Sequence, residues 1–302
     1  MPQSAADLQA IFGDSSAFSV NEEFPGYPII VVNSGRSTAE IALQGAQVLK
    51  WTPKDQPNVL YTSPRARMEP GKACRGGVPL CWPWFNAHPT DDSKPSHGFV
   101  RDRFWELTSA EFNYNLATLE FKLHSTDETK ELWPHDFELT ATIKISDKLK
   151  VRLSTKNTGE EPFQITAALH SYLSVDSIET IQLEGVKGAH YLDQTLPAGT
   201  EPQYQEKNIQ INQEIDRIYE SMSSLLLRDS GQGRAIFVDK LGSRSTVIWN
   251  PWKEKSKQLQ DLPDNDYKEF VCIEVANAGK DRPTVRPGSV HHLETTMGLR
   301  PL

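Results

Sequence analysis

Cysteine is scarce in this 302-residue chain: Cys74, Cys81 and Cys272 form an odd, scattered set without the spacing of a metal site or a disulfide framework. A reducing compartment, the cytoplasm, is the expectation. The opening residues, MPQSAADLQAIFGDSS, lack both a basic start and a long apolar run, so neither export nor a membrane span is expected. Positive charge is in deficit as well. With 32 Lys and Arg against 40 Asp and Glu, the net charge of −8 argues against nucleic acid or an anionic membrane as the partner. No repeat, low-complexity tract or Gly/Ser linker offers a boundary, so residues 1–302 read as one domain. Helical periodicity is confined to 5–12, a short amphipathic stretch closed by Gly13.

What the chain does have is a two-residue period. Segments 27–33, 38–43, 46–52, 104–110, 116–124, 137–145 and 149–156 are strand-length, rich in β-branched or aromatic residues, and separated by Gly, Pro, Asn, Asp and Ser. Ser146-Asp147-Lys148 between two clean alternations predicts a hairpin, and Asn157-Thr158-Gly159 predicts the turn that follows. Segments 178–183, 235–239, 246–250, 270–275 and 291–298 continue the pattern. The fold class is all-β: one large antiparallel domain of two sheets packed face to face.

Two titratable residues interrupt this pattern. In 163–175, FQITAALHSYLSV, alternate positions put Phe163, Ile165, Ala167, Leu169, Leu173 and Val175 on a core face. His170 falls on the other face, beside Tyr172, and that face is expected to line something wet. An imidazole there is either a solvated surface group or an acid or base that works near neutral pH. In 270–276, FVCIEVA, Glu274 shares a face with Phe270 and Cys272 inside a run of buried-type residues. Such a carboxylate needs a partner or an elevated pKa, and both conditions suit a catalytic base. The structural alternative is a pairing with a nearby lysine such as Lys268. Neighbours on a strand point to opposite faces, so His291 and His292 are not expected to share a metal ion.

Residues 68–103 fit no strand pattern. They are rich in Gly, Pro and Trp, and from Arg65 to Arg103 hold seven basic residues against four acidic ones, an excess of three in a chain whose remainder carries −11. A long irregular segment of this kind often belongs to a binding site. Arg75 and Arg101 bracket its Trp- and His-containing centre, where guanidinium groups suit a phosphate or carboxylate.

The order and spacing of Arg75-Gly76-Gly77-Val78-Pro79, Ser96-His97-Gly98 with Arg101, His170-Ser171-Tyr172, 212–219, Trp249-Asn250-Pro251-Trp252 and Cys272-Ile273-Glu274 resemble the hexose-6-phosphate mutarotases of the aldose 1-epimerase superfamily, from about Ile29 to the C-terminus. The resemblance implies a large β-sandwich of the galactose mutarotase type and interconversion of the anomers of a phosphorylated aldohexose. Carried over by position, His170 is the general acid and Glu274 the general base. Asp216 and His97 contact the sugar, and Arg75 and Arg101 lie near the phosphate. Ser96 is a substrate-binding candidate that stands where some members carry glutamine. The expected partner is a small phosphorylated hexose. Neither cofactor nor metal is required, and the oligomeric state is left open, a monomer being compatible with the resemblance.

The chemistry fits the residues. A base takes the C1 hydroxyl proton while an acid protonates the ring oxygen, and rotation followed by reclosure gives the other anomer. Trp82, Trp84 and Trp249 are candidates for an apolar surface under the sugar. Two rivals remain at this level: a glycoside hydrolase, which would need Asp216 as its second carboxylate, and a non-catalytic sugar-phosphate binder.

Overall fold

The computed structural model describes residues 2–302. Two large antiparallel sheets, of seven and eight strands, carry the architecture; a four-stranded sheet built from Phe18–Asn21, Ile29–Asn33, Ser37–Ala42 and Gln47–Pro53 adjoins them. Alternation explains the eight-stranded sheet directly. Along Phe137–Ile145 and Lys148–Asn157 every second side chain is buried, and the register Ile145↔Leu149 closes the hairpin over Ser146 and Asp147. The buried sets, including Leu139, Ile143, Val151 and Leu153, join Leu169, Leu173, Val271, Ile273 and Val275 of the seven-stranded sheet in one apolar cluster, which places the core between the two sheets.

The helix expected at 5–12 is Ala5–Phe12. Ser4 and Asp7 form a capping box, and the Gly13 N–H donates to the Gln9 carbonyl. Two further helices, Asp127–Leu132 and Trp252–Ser256, are too short to leave a periodic signal.

The stretch 163–175 departs from expectation in two ways. It breaks in two: Phe163–Gln164 pairs with Thr284–Val285, while Ala167–Ser174 lies in the seven-stranded sheet. Between them the Ile165 and Thr166 N–H groups turn aside to the carbonyls of Pro283 and Pro83. The second departure concerns the polar face, which is not solvated. All but the last residue of Ala167–Ser174 are buried, because Gly76–Pro79 lies along it: Tyr172 N–H donates to Gly77 O at 2.9 Å and His170 N–H to Pro79 O at 3.0 Å. On its other side the segment packs on Gln47–Pro53 closely enough to require glycine: Gly77 has φ +62°, and a Cβ there would stand 2.0 Å from the Val48 carbonyl oxygen.

Candidate functional site

The centre of the seven-stranded sheet runs Ile215–Glu220, Ser245–Asn250, Phe270–Asn277, Ala167–Ser174. Cross-strand partners share a face, so the register reads out two adjacent rows: Asp216, Trp249, Cys272, Tyr172, and beside it Val247, Glu274, His170. Antiparallel pairing thus makes direct neighbours of two residues 104 positions apart. His170 Nε2 lies 3.3 Å from Glu274 Oε1.

Both groups are out of water, with His170 8% exposed and Glu274 1%. Neither the surface-histidine reading nor the Lys268 pairing holds: the partner of each is the other. His170 Nδ1 and Glu274 Oε2 are buried without a protein hydrogen-bond partner, leaving a donor or acceptor position on each side of the contact for a ligand oxygen. Burial pushes Glu274 well above the usual carboxylate range, with the charge of Asp216 adding to the shift. Burial likewise pulls His170 well below 6.5, assisted by His97, Arg101 and Arg75. Desolvation disfavours a net charge of either sign on the pair, so we treat it as one unit that holds a single exchangeable proton between its two members.

Aromatic contacts hold the imidazole. Its ring stacks on Tyr172 at 4.8 Å and 12°, and Trp249 stands 6.1 Å away on the side toward Asp216. Of the three candidate tryptophans only Trp249 lies here; Trp82 and Trp84 are buried in the main core.

The irregular segment supplies the remaining parts. Arg75 Nη1 donates to the Tyr172 hydroxyl at 3.2 Å, and its Nε pairs with Asp261 Oδ1 at 2.8 Å. Burial opposes the Arg75 charge, but Tyr172 and Asp261 outweigh it and hold the guanidinium protonated. His97 presents its ring edge-on to His170 at 6.0 Å. Gly98 permits this course of the chain, since at φ +74° an added Cβ would meet the Trp82 carbonyl oxygen at 1.8 Å. Arg101 Nη2 donates to the Ser96 backbone carbonyl at 3.0 Å, so Ser96 enters the site through its backbone by orienting a guanidinium. Asp216 accepts from Gln194 Nε2 at 2.5 Å, and burial raises its pKa.

All seven residues singled out from the sequence therefore converge on one face. The imidazole and the carboxylate touch, so a ligand has to lie over the pair rather than between its members. Sequence reading assigned no role to Tyr172, Asp261, Gln194 or Asn86; Tyr172 stacks on His170 itself, and the others bond to Arg75, Asp216 and His97.

Two concavities lie elsewhere. One of about 1020 Å³ runs past Ile218, Ser245 and Arg244, and another of about 450 Å³ past Phe85, Asn86 and Trp133. The charged pair in the first, Lys280 with Glu220, is exposed, whereas the strongly perturbed and mutually facing groups belong to the His170–Glu274 rows. His291 and His292 turn to opposite faces, toward Asn277 and Ser154. Among the described residues no cluster of three or more potential metal ligands occurs.

Comparison with known proteins supplies the family and the fold. The model of the family described as aldose 1-epimerase matches residues 28–298. A protein of Escherichia coli (strain K12), provisionally named glucose-6-phosphate 1-epimerase, is 34% identical over 270 residues and 87% of each chain is covered. A protein of Cenchrus ciliaris with the same provisional name is 33% identical over 274 residues, covering 87% of this chain and 82% of its own. The crystal structure of a provisionally assigned mutarotase from Salmonella typhimurium superimposes with a TM-score of 0.88 at 30% identity, covering 96% of this chain and 95% of that one.

Proposed function

Because the chain belongs to the aldose 1-epimerase family, with the galactose mutarotase type of β-sandwich, we propose that it interconverts the α and β anomers of a hexose 6-phosphate, glucose 6-phosphate foremost. Mutarotase chemistry follows from the family; the phosphorylated substrate is our reading. The observation that carries it is the pair of guanidinium groups bordering the acid–base pair: Arg75, one hydrogen bond from the Tyr172 ring that stacks on His170, and Arg101, tied to the residue before His97. An unphosphorylated hexose carries no charge for two cations at its rim to meet. The names carried by the relatives from Escherichia coli and Cenchrus ciliaris support the same substrate.

In this reading His170 gives its proton to the ring oxygen while Glu274 takes the proton of the C1 hydroxyl. The C1–O5 bond breaks and the aldehyde forms. Glu274 is then protonated and His170 neutral, the other arrangement of the same shared proton. Rotation about C1–C2 and the reverse transfers close the ring in the opposite configuration, and the protein ends as it began. Asp216 and His97 hold the sugar hydroxyls, and Trp249 offers a flat apolar surface. The contact of unlike groups, imidazole with carboxylate, favours this chemistry over the twin carboxylates of a hydrolase.

The test is NMR exchange spectroscopy on equilibrated glucose 6-phosphate, with glucose and galactose alongside. Catalysed exchange of the phosphate ester that disappears in Glu274→Gln and His170→Ala, with affinity kept within about tenfold, or ~1.4 kcal/mol, is the expected result. Arg101→Ala, and Arg75→Ala made together with Asp261→Asn so that no carboxylate is left uncompensated, are expected to weaken glucose 6-phosphate far more than glucose. Equal losses for the two sugars would remove the phosphate from the reading. Exchange that never exceeds the spontaneous rate would leave only a sugar-phosphate binder.

A further inference from the structure

Two residues that touch neither His170 nor Glu274 join the proposed sugar-holding groups to each other. Asn86 and His97 close a reciprocal loop in which His97 N–H donates to the Asn86 carbonyl at 2.8 Å and Asn86 N–H donates to His97 Nδ1 at 3.3 Å. Both residues sit in the left-handed region, at φ +67° and +66°, a conformation asparagine accepts more readily than histidine. From the same Asn86 the side-chain amide reaches outward: Nδ2 donates to Gln194 Oε1 at 2.6 Å, and Gln194 Nε2 donates to Asp216 Oδ1 at 2.5 Å. A second bond, Gln194 N–H to the Asp216 carbonyl at 2.8 Å, locks the backbone of that link.

Donor and acceptor assignments follow from this chain without freedom. A backbone N–H can only donate, so His97 Nδ1 is an acceptor and the ring proton resides on Nε2. The neutral state agrees with its setting, since burial with Arg101 and Arg75 nearby pulls the His97 pKa to about 3. At the far end the ionised Asp216 carboxylate can only accept, so Gln194 turns its amide nitrogen to it and its oxygen to Asn86 Nδ2. One carboxylate oxygen, Oδ1, is thereby engaged and Oδ2 is left for a ligand.

We propose that Asn86 and Gln194 are positioning residues that fix the hydrogen-bonding polarity of the sugar contacts, making His97 a donor through Nε2–H and Asp216 an acceptor through Oδ2. The site thus offers one obligate donor and one obligate acceptor to adjacent hydroxyls, and it does so across two segments, the 86–97 loop and the Ile215–Glu220 strand, that no other side-chain hydrogen bond found here links. The inference rests on His97 and Asp216 as the sugar-holding groups, and it assigns the relay neither acid nor base work.

Three measurements test it. Ring ¹⁵N spectra of the ligand-free protein at pH 7 are expected to show His97 as the neutral Nε2–H tautomer; an Nδ1–H tautomer or an imidazolium would overturn the proposal whatever the substrate. Next are the kinetics of Gln194→Ala and of Asn86→Gly, the latter keeping the left-handed backbone and its N–H while deleting the amide arm. Both are expected to raise KM for glucose 6-phosphate tenfold or more with kcat within about threefold. A fall in kcat at unchanged KM would overturn the positioning role. Lastly, Gln194→Glu replaces the donor by a carboxylate facing Asp216, so its KM should climb as pH rises through the range where both ionise, while wild-type KM stays flat. A flat profile for the variant counts against the relay. Should the wild type exchange none of the three sugars, the proposed substrate fails, and the ring spectra still decide the tautomer.

Discussion

At the scale of single residues, Glu274 is a carboxylate buried in the sheet against His170. The raised pKa of Glu274 means that the folded chain retains a proton, above pH 4.5, that the unfolded chain has lost. The contribution of this group to stability therefore declines as pH rises above 4.5. Gln cannot ionise, so Glu274→Gln is expected to lower the exchange rate by roughly 10²–10⁴-fold while raising the thermal midpoint, with the gain widening from pH 5 to pH 8. Thermal unfolding at several pH values checks it; a midpoint below wild type across that range would contradict the sign. Gly98→Ala works in the opposite direction. A methyl 1.8 Å from the Trp82 carbonyl forces the His97 turn to move, and a loss of stability above about 1 kcal/mol, read by denaturant unfolding, should accompany lost activity. Residue-scale legibility tracks chemical contrast. Glu274 and His170 were readable because each interrupts an apolar alternation, whereas Asn86 lies in an irregular aromatic stretch and Gln194 in a polar one, 108 positions apart, with no regular pattern to mark either. Asp216 was visible only through resemblance, its segment IDRIYE being too charged to read as a strand.

At the scale of elements, the site is a consequence of register. One face of Phe270–Asn277 carries Cys272 and Glu274, and the other buries Val271, Ile273 and Val275 in the core between sheets. A slip of one residue would exchange the two sets, so the packing that excludes water from the core also aims the carboxylate. Ile273→Ala should accordingly separate the functions of the two faces: a loss of about 2–5 kcal/mol in denaturant unfolding, with kcat near wild type while the protein remains folded. A kcat as low as that of Glu274→Gln under folding conditions would mean that the strand does not hold its register independently. Period-two alternation made most of the eight-stranded sheet legible, and 116–124 and 137–145 match Leu116–His124 and Phe137–Ile145 end to end. The seven-stranded sheet was harder to read. Its central strands are covered on both faces and lose their alternation, and the break at Ile165 and Thr166 depends on carbonyls of Pro83 and Pro283 far along the chain.

For the whole molecule, charge and protonation set the operating range. The net charge is −8, yet Arg75 and Arg101 face the site, so the proposed phosphorylated sugar would approach a local positive region on an anionic surface. Salt screens both fields, and the short-range attraction dominates at contact. KM for glucose 6-phosphate should rise between 20 and 500 mM NaCl, while KM for glucose stays level; parallel curves would indicate that the guanidiniums do not meet the phosphate. The pH profile of kcat/KM should be bell-shaped. Its acid limb adds a proton to the pair, which burial resists, so that limb lies below the ordinary imidazole value of 6.5. Its alkaline limb removes the proton the two groups share, and burial moves that step upward. An acid limb at or above 6.5 would mean that water reaches the pair.

The contact between imidazole and carboxylate has a last consequence for metabolism. In the proposed mechanism the protein gives the sugar one proton and takes one back, ending as it began, with nothing to drive the reaction one way. Such a protein shortens the wait for equilibrium and leaves the final ratio of anomers to the sugars themselves. Direction then belongs to whichever neighbouring reactions drain one anomer faster, and the amount of this protein determines only how soon the other refills it.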